Sequence, residues 1–212
     1  MNIPTAYCIS ANDNRKAQFH KAWAACGLPD EVVVDFPAIT QPNGSRGNAL
    51  SQKAAVEDAL SKGLTRVLIF EDDAVPCDNI STLLQEELDA AIARGDGAIR
   101  LGWVEIPPNF RNTTDGRRVK GSHAYALLSS EAMQDFINSL DMNKVPNTFM
   151  RMSVPVTRST KCLFVQYNAP DSGQSITHHM PGWHASSWIL HGETTFNTVI
   201  EALNIKERII ST

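Results

Sequence analysis

Two rhythms of apolar and polar positions alternate along the first hundred residues. Short apolar runs at Thr5 to Ser10, Glu31 to Asp35, Arg66 to Phe70 and Ala98 to Leu101 read as strands. Between them lie longer stretches of helical character that end on turn residues. Asn14 to Cys26 is stopped by Gly27, Ala49 to Lys62 by Gly63, and Ser81 to Arg94 by Gly95. Strands that alternate with helices require crossover connections, so the pattern predicts an α/β domain with a mostly parallel central sheet and helices on both faces.

After Leu101 the rhythm breaks. Residues 103 to 120 hold Pro107-Pro108, Asn109, Asn112, Asp115-Gly116 and four arginines or lysines. This turn-rich, basic composition suits a lid over a site and equally a solvated connection. Ser122 to Leu128 then reads as a strand, Ser130 to Leu140 as a helix and Leu163 to Tyr167 as a late strand. From Pro170 to His191 the chain is loop-like and rich in His and Trp, and Thr195 to Leu203 reads as a last helix. There is no internal repeat and no low-complexity linker. Residues 1–212 therefore read as a single domain with a loop-rich part from about residue 168.

With 212 residues and 42% hydrophobic content, the chain can bury a full core. A net charge of -4 gives no bulk attraction to polyanions, which argues against nucleic acid as a partner. No apolar stretch approaches the roughly 20 residues of a membrane-spanning helix. Met1-Asn2-Ile3-Pro4 lacks the basic start and apolar middle of a signal peptide, and a soluble, cytoplasmic protein is the expectation. Cys8, Cys26, Cys77 and Cys162 are widely spaced, without a Cys-x-x-Cys pair, so neither a zinc knuckle nor a disulfide framework is predicted.

The chemistry concentrates where the apolar run Val67-Leu68-Ile69-Phe70 discharges into Glu71-Asp72-Asp73. Ligands of open α/β sheets bind beyond the carboxyl ends of the strands, which is where these three carboxylates would stand. Adjacent carboxylates repel and lose hydration when partly buried, and a divalent cation offsets both costs. Helix capping is the competing explanation, since Asp78, Asn79 and Ser81 follow at once.

Several segments, in order, are similar to glycosyltransferase family 25, which contains bacterial lipooligosaccharide galactosyltransferases and collagen galactosyltransferase domains. Tyr7-Cys8-Ile9-Ser10 with Arg15 resembles the opening strand and its nearby arginine. Gly47 through Ser51 resembles a Gly-Cys-x-x-Ser-His helix start, and Leu68-Ile69-Phe70-Glu71-Asp72-Asp73-Ala74 resembles Leu-Ile-Leu-Glu-Asp-Asp-Ala, the family's version of the Asp-x-Asp motif. Gly121-Ser122-His123-Ala124-Tyr125 is similar to Gly-Thr-His-Ala-Tyr, and Gln166 with Ser175-Ile176 to the closing Gln and Ser-x-Ile. The likeness spans roughly residues 5 to 176. Departures are Asn48 for Cys, Gln52 for His, and Asn147 where Pro-x-Asp is common.

The resemblance implies a GT-A-like, nucleotide-sugar Rossmann-type fold and transfer from a nucleotide diphosphate sugar, most simply a UDP-sugar, to a hydroxyl acceptor with inversion. It implies Mn²⁺ or Mg²⁺ as cofactor, with Asp73 as direct ligand, Asp72 bridging to ribose or metal, and Glu71 ordering the pair. Ser10, Asn12 and Arg15 fall where nucleobase, ribose or diphosphate is met. The period-two rule puts His123 and Tyr125 on one side of their strand; the resemblance turns His123 toward the sugar site and makes Tyr125 a donor-binding candidate, while a satisfied, half-buried histidine is the alternative for His123. Among the clustered His178, His179, His184 and His191, His179 and His184 are candidates to complete the metal shell. Trp183 and Trp188 can stack on a ligand or anchor the tail. Inversion requires a base, for which Glu105 and Asp171 are candidates. The acceptor expected is a glycan, with a hydroxylated nucleobase or protein as alternatives. The competing functions are a catalytically silent nucleotide-sugar-binding module and a metal-dependent phosphotransferase or nuclease.

Overall fold

The computed structural model describes residues 3–105, 119–120, 122–143, 145–166 and 197–202. In chain order the elements are β1 (Ala6–Ser10), α1 (Asp13–Ala25), β2 (Val33–Pro37), α2 (Gly44–Ser61), β3 (Val67–Glu71), β4 (Ala74–Pro76), α3 (Ile80–Ala93) and β5 (Ala98–Arg100). They continue with β6 (Val104–Glu105), β7 (Val119–Lys120), β8 (Ala124–Leu127), α4 (Ser130–Ser139), α5 (Val145–Arg151), β9 (Val156–Arg158), β10 (Phe164–Gln166) and α6 (Asn197–Ala202).

Six strands form the central sheet in the order β2-β1-β3-β8-β5-β9. β1 pairs in parallel with β2 and β3, and β5 with β9, while β8 runs antiparallel to both β3 and β5. The fold is thus α/β with a mostly parallel sheet, and β8 is the one strand of it that runs the other way. From β1 the chain moves to one side to build β2, then returns to the other side for β3. The boundary between β1 and β3 is therefore a topological switch point, outside whose carboxyl ends a crevice opens.

Helices cover both faces because alternate strand residues feed two separate apolar clusters. On one face Cys8, Leu68, Phe70, Ile99 and Ala126 meet Phe19 and Trp23 of α1 and Ile80, Leu84 and Leu88 of α3. On the other, Tyr7, Ile9, Ile69, Ala98 and Tyr125 meet Ala55 and Val56 of α2, Phe136 of α4 and Phe149 of α5. Phe70 lies 5.4 Å from Trp23 and 4.7 Å from Phe164 between ring centroids, a rigid apolar floor directly under the acidic triplet.

Differences from the sequence reading have local causes. β2 sits two residues later than expected, because Asp30–Val32 forms a 3-10 turn first. α2 begins at Gly44, five residues early, with the Asn43 side chain accepting from the Arg46 amide at 3.2 Å. Gly47 permits a close approach there, since a Cβ at that position would lie 2.7 Å from the Ile39 carbonyl oxygen. β4, α5 and β9 leave no mark in the apolar pattern: β4 and β9 are three-residue strands and α5 is a seven-residue helix, all too short to carry a period. The segment from 103 to 120 is not loop throughout, because β6 and β7 pair antiparallel at its ends. Residues 106–118 and 167–196 lie outside the described residues. The expected last helix is present as α6, whose Thr198 amide donates to Asp78 Oδ1 at 2.9 Å. No helix among the described residues is long and apolar enough to cross a membrane.

Candidate functional site

At the carboxyl ends of β1 and β3 the chain brings together Ser10, Arg15, Glu71, Asp72 and Asp73. The β1–α1 turn is built by Asn12, which caps α1 by accepting from the amides of Asn14 at 2.9 Å and Arg15 at 3.1 Å. That cap starts the helix so that Arg15, within its first turn, reaches the acids. Its Nη2 pairs with Asp72 Oδ1 and lies 3.1 Å from Asp73 Oδ2. Ser10 donates its hydroxyl to Asp72 Oδ2 at 2.6 Å, and the Asp72 amide donates to the Ile9 carbonyl at 3.2 Å.

Gln166 enters from a second element. In the β4–β10 pair Gln166 faces Ala74, so its side chain falls beside the residue preceding Ala74. Its amide donates to Asp73 Oδ2 at 3.0 Å. Asp72 and Asp73 expose only 8% and 5% of their surface. Burial pushes the Asp72 carboxyl above its ordinary range, opposed by the Ser10 hydrogen bond and the Arg15 charge.

Glu71 is ordered from behind by α2. Its Oε1 accepts from Asn48 Nδ2 at 3.0 Å and Gln52 Nε2 at 3.2 Å. Gln52 also donates to Asn48 Oδ1 at 2.9 Å, and its own Oε1 accepts from the Tyr125 hydroxyl at 2.9 Å. Burial, and then the charge of Asp73, push Glu71 up to about 7. Asn48 and Gln52, which read as departures from a family pattern, are the groups that hold this carboxyl. They sit four apart on one helix face, which is the signal that would have found them.

Two expected ligand contacts are corrected. Tyr125 is fully enclosed, its ring 5.0 Å from that of Phe149 and its hydroxyl on Gln52, so it supports Glu71 from the core and does not face a donor. His123 does not share a side with Tyr125. β8 begins only at Ala124, the chain bends at His123, and the ring turns toward β10, where Nε2 lies 3.0 Å from the Phe164 carbonyl oxygen. A Cβ on Gly102 would stand 2.2 Å from that nitrogen, which measures how tightly the ring is packed. His123 is therefore a core histidine with its Nε2 proton directed at a carbonyl.

Glu105 lies on β6, opposite Val119, with its side chain outside the described part. Asp171, His178, His179, His184, His191, Trp183 and Trp188 also lie outside the described residues. Asn147 is on α5, where it donates to Asp141 Oδ2 at 3.3 Å, a carboxylate also paired with Arg151 at 2.9 Å.

Among the described residues, no group of three or more His, Cys, Asp or Glu side chains is placed to hold a metal ion. The fitting donors are Asp72 and Asp73. Both are oxygen ligands, and the Arg15 guanidinium already sits against both, marking the spot as one that takes positive charge. A magnesium-type ion needs only one or two protein carboxylates when phosphate and water supply the rest. No protein-family model matches the chain, and no curated protein matches it.

Proposed function

We propose that this chain is a metal-dependent glycosyltransferase of the GT-A type, transferring a sugar from a nucleotide diphosphate sugar to a hydroxyl acceptor with inversion. The observation that carries this reading is the convergence of Ser10, Arg15, Asp72 and Asp73 at the switch point between β1 and β3. The likeness of Leu68 through Ala74 to the family 25 acidic motif supports it independently of geometry.

In this reading Asp72 and Asp73 would hold Mn²⁺ or Mg²⁺, and Arg15, which pairs with both carboxylates, would be free to meet the diphosphate instead. A cation bound there would supply Lewis-acid stabilisation of the charge that develops on the leaving diphosphate. Ser10 keeps Asp72 oriented, and Gln166 does the same for Asp73. Glu71, held by Asn48 and Gln52, stays in the second rank as an acidic background that favours a cation in front of it. A UDP-sugar is the donor and a glycan the acceptor in this proposal, with Glu105 and Asp171 as the candidate bases and the cytoplasm as the compartment.

A two-metal phosphotransferase or nuclease needs carboxylates at further strand ends. The ends of β5 and β9 carry Arg100 and Arg158 instead, which disfavours that reading. The test is a thermal-shift and calorimetric screen of nucleotide sugars with and without Mn²⁺, followed by a turnover assay. Selective binding is expected to raise stability by about 2.7 kcal/mol at a hundredfold excess over Kd. A flat response to every donor rejects the proposal, and binding without turnover across a wide acceptor panel favours a silent binding module.

A further inference from the structure

One guanidinium nitrogen ties the acidic end of β3 to α1. Arg15 Nη2 pairs with Asp72 Oδ1 and lies 3.1 Å from Asp73 Oδ2, so a single positive group stands where the two carboxylates converge. The Arg15 side chain is only 17% exposed, and the two carboxylates are exposed less still. Little solvent screens the contact, so charge decides what can sit there.

The carboxylates do not depend on Arg15 for their orientation. Ser10 donates to the other Asp72 oxygen at 2.6 Å, and Gln166 donates to Asp73 Oδ2 at 3.0 Å. These donors are neutral and come from β1 and β10, whereas Arg15 comes from α1. Its backbone is fixed separately, the Arg15 amide donating to Asn12 Oδ1 at 3.1 Å in the first turn of the helix. The guanidinium can therefore leave by side-chain torsions alone, while the helix and both carboxylates stay in place.

That independence makes the ion pair exchangeable. A divalent cation arriving alone must displace the guanidinium from its buried partners or bind against a like charge. A diphosphate arriving alone meets three carboxylates, Glu71, Asp72 and Asp73. Together they remove both obstacles, since the cation would take the carboxylates and the freed fork would take phosphate oxygens. We propose that Arg15 is a built-in counter-ion that holds the site against free metal and makes metal and diphosphate binding mutually dependent. This gate rests on the reading of Asp72 and Asp73 as cation ligands. By linkage the coupling is reciprocal, typically about 5–150-fold in affinity.

The test titrates the full chain calorimetrically with Mn²⁺ alone, and with UDP at saturating Mn²⁺, in wild type, Arg15→Gln and Arg15→Lys. Arg15→Gln is expected to bind Mn²⁺ alone at least about tenfold more tightly than wild type, and UDP at least about tenfold more weakly. A merely structural role for Arg15 would move both affinities in the same direction. Arg15→Lys keeps the charge, so its affinity for Mn²⁺ alone is expected to match wild type. Arg15→Gln removes a positive charge from beside three acids, and is expected to melt lower without metal and to recover with Mn²⁺. If it folds in neither condition, Arg15→Lys decides: Mn²⁺ binding about tenfold tighter than wild type there overturns the gate, because charge is then not what excludes the metal, and a wild-type affinity supports it. Equal Mn²⁺ affinity in wild type and Arg15→Gln overturns the gate and leaves the cation reading standing. Absence of Mn²⁺ binding in both proteins, with and without UDP, overturns the cation reading and the gate together.

Discussion

Ser10 and Asp72, 62 residues apart in sequence, are joined by a 2.6 Å hydrogen bond that straddles the switch point of the sheet. The bond gives a buried carboxyl a charge-assisted donor where desolvation works against its ionised form. Ser10→Ala is expected to cost about 1–2 kcal/mol in denaturant unfolding at neutral pH, because the acceptor stays buried after the donor is gone. An unchanged midpoint would show that the bond contributes nothing net.

Asp73→Asn is expected to abolish Mn²⁺-dependent donor binding and leave the fold intact. The amide is nearly isosteric, and its oxygen can still accept from Gln166. Three neighbouring carboxylates face one guanidinium, so removing a charge relieves more repulsion than the loss of the Arg15 contact costs. The melting temperature without metal is therefore expected to stay equal or rise. Calorimetry of donor with Mn²⁺ checks this, and wild-type metal dependence in the variant would remove Asp73 from the site.

His123→Ala and Gly102→Ala probe one packing unit from two sides. The first removes the partner of the Phe164 carbonyl, and the second forces the ring off it. Each is expected to cost about 1–3 kcal/mol. Activity per folded molecule is expected to hold in both, as judged by melting curves beside turnover. A His123→Ala protein of wild-type stability and lost turnover would return this residue to the site.

His20 on α1 bridges two carboxylates, with Nδ1 at 2.6 Å from Asp30 Oδ1 and Nε2 at 2.7 Å from Asp35 Oδ1. Partial burial disfavours its charge, but the bonds to Asp35 and Asp30 outweigh that and raise its pKa above the ordinary 6.5. The folded state then holds the proton more tightly than the unfolded chain does. The clamp contributes fully below about pH 6.5 and is lost as pH rises through the raised value. Its worth is about 1 kcal/mol or less, because both aspartates are substantially exposed. The stability gap between wild type and His20→Gln is expected to be present at pH 6 and to close by pH 9. A gap that is the same at both pH values would refute the clamp.

The sequence made some parts legible and hid others for identifiable reasons. Gly27, Gly63 and Gly95 all adopt positive φ, and each closes a helix at the position where the pattern stops. β3 and its acidic end could be read because four consecutive apolar residues buried on both faces leave no ambiguity. The direction of β8 could not be read, because alternation along a strand says which face a residue takes and nothing about which way its neighbours run. The same rule misled at His123, where a bend ahead of β8 breaks the period. Gln166 stands out in the sequence only through likeness to a motif, since its contact with Asp73 arises from pairing between β4 and β10, far apart in the chain.

The position of β8 also bears on how the chain assembles. β1, β2 and β3 are contiguous in sequence and adjacent in space, so the segment up to Glu71 can form its pairings as it is made. The other side of β3 stays open until Ala124–Leu127 has left the ribosome, more than fifty residues later, at about 5–20 residues per second. During those seconds Val-Leu-Ile-Phe, a strand that is fully buried in the finished fold, presents an unpaired edge of the kind that recruits other strands. A nascent chain arrested before residue 124 is thus the species most prone to aggregate.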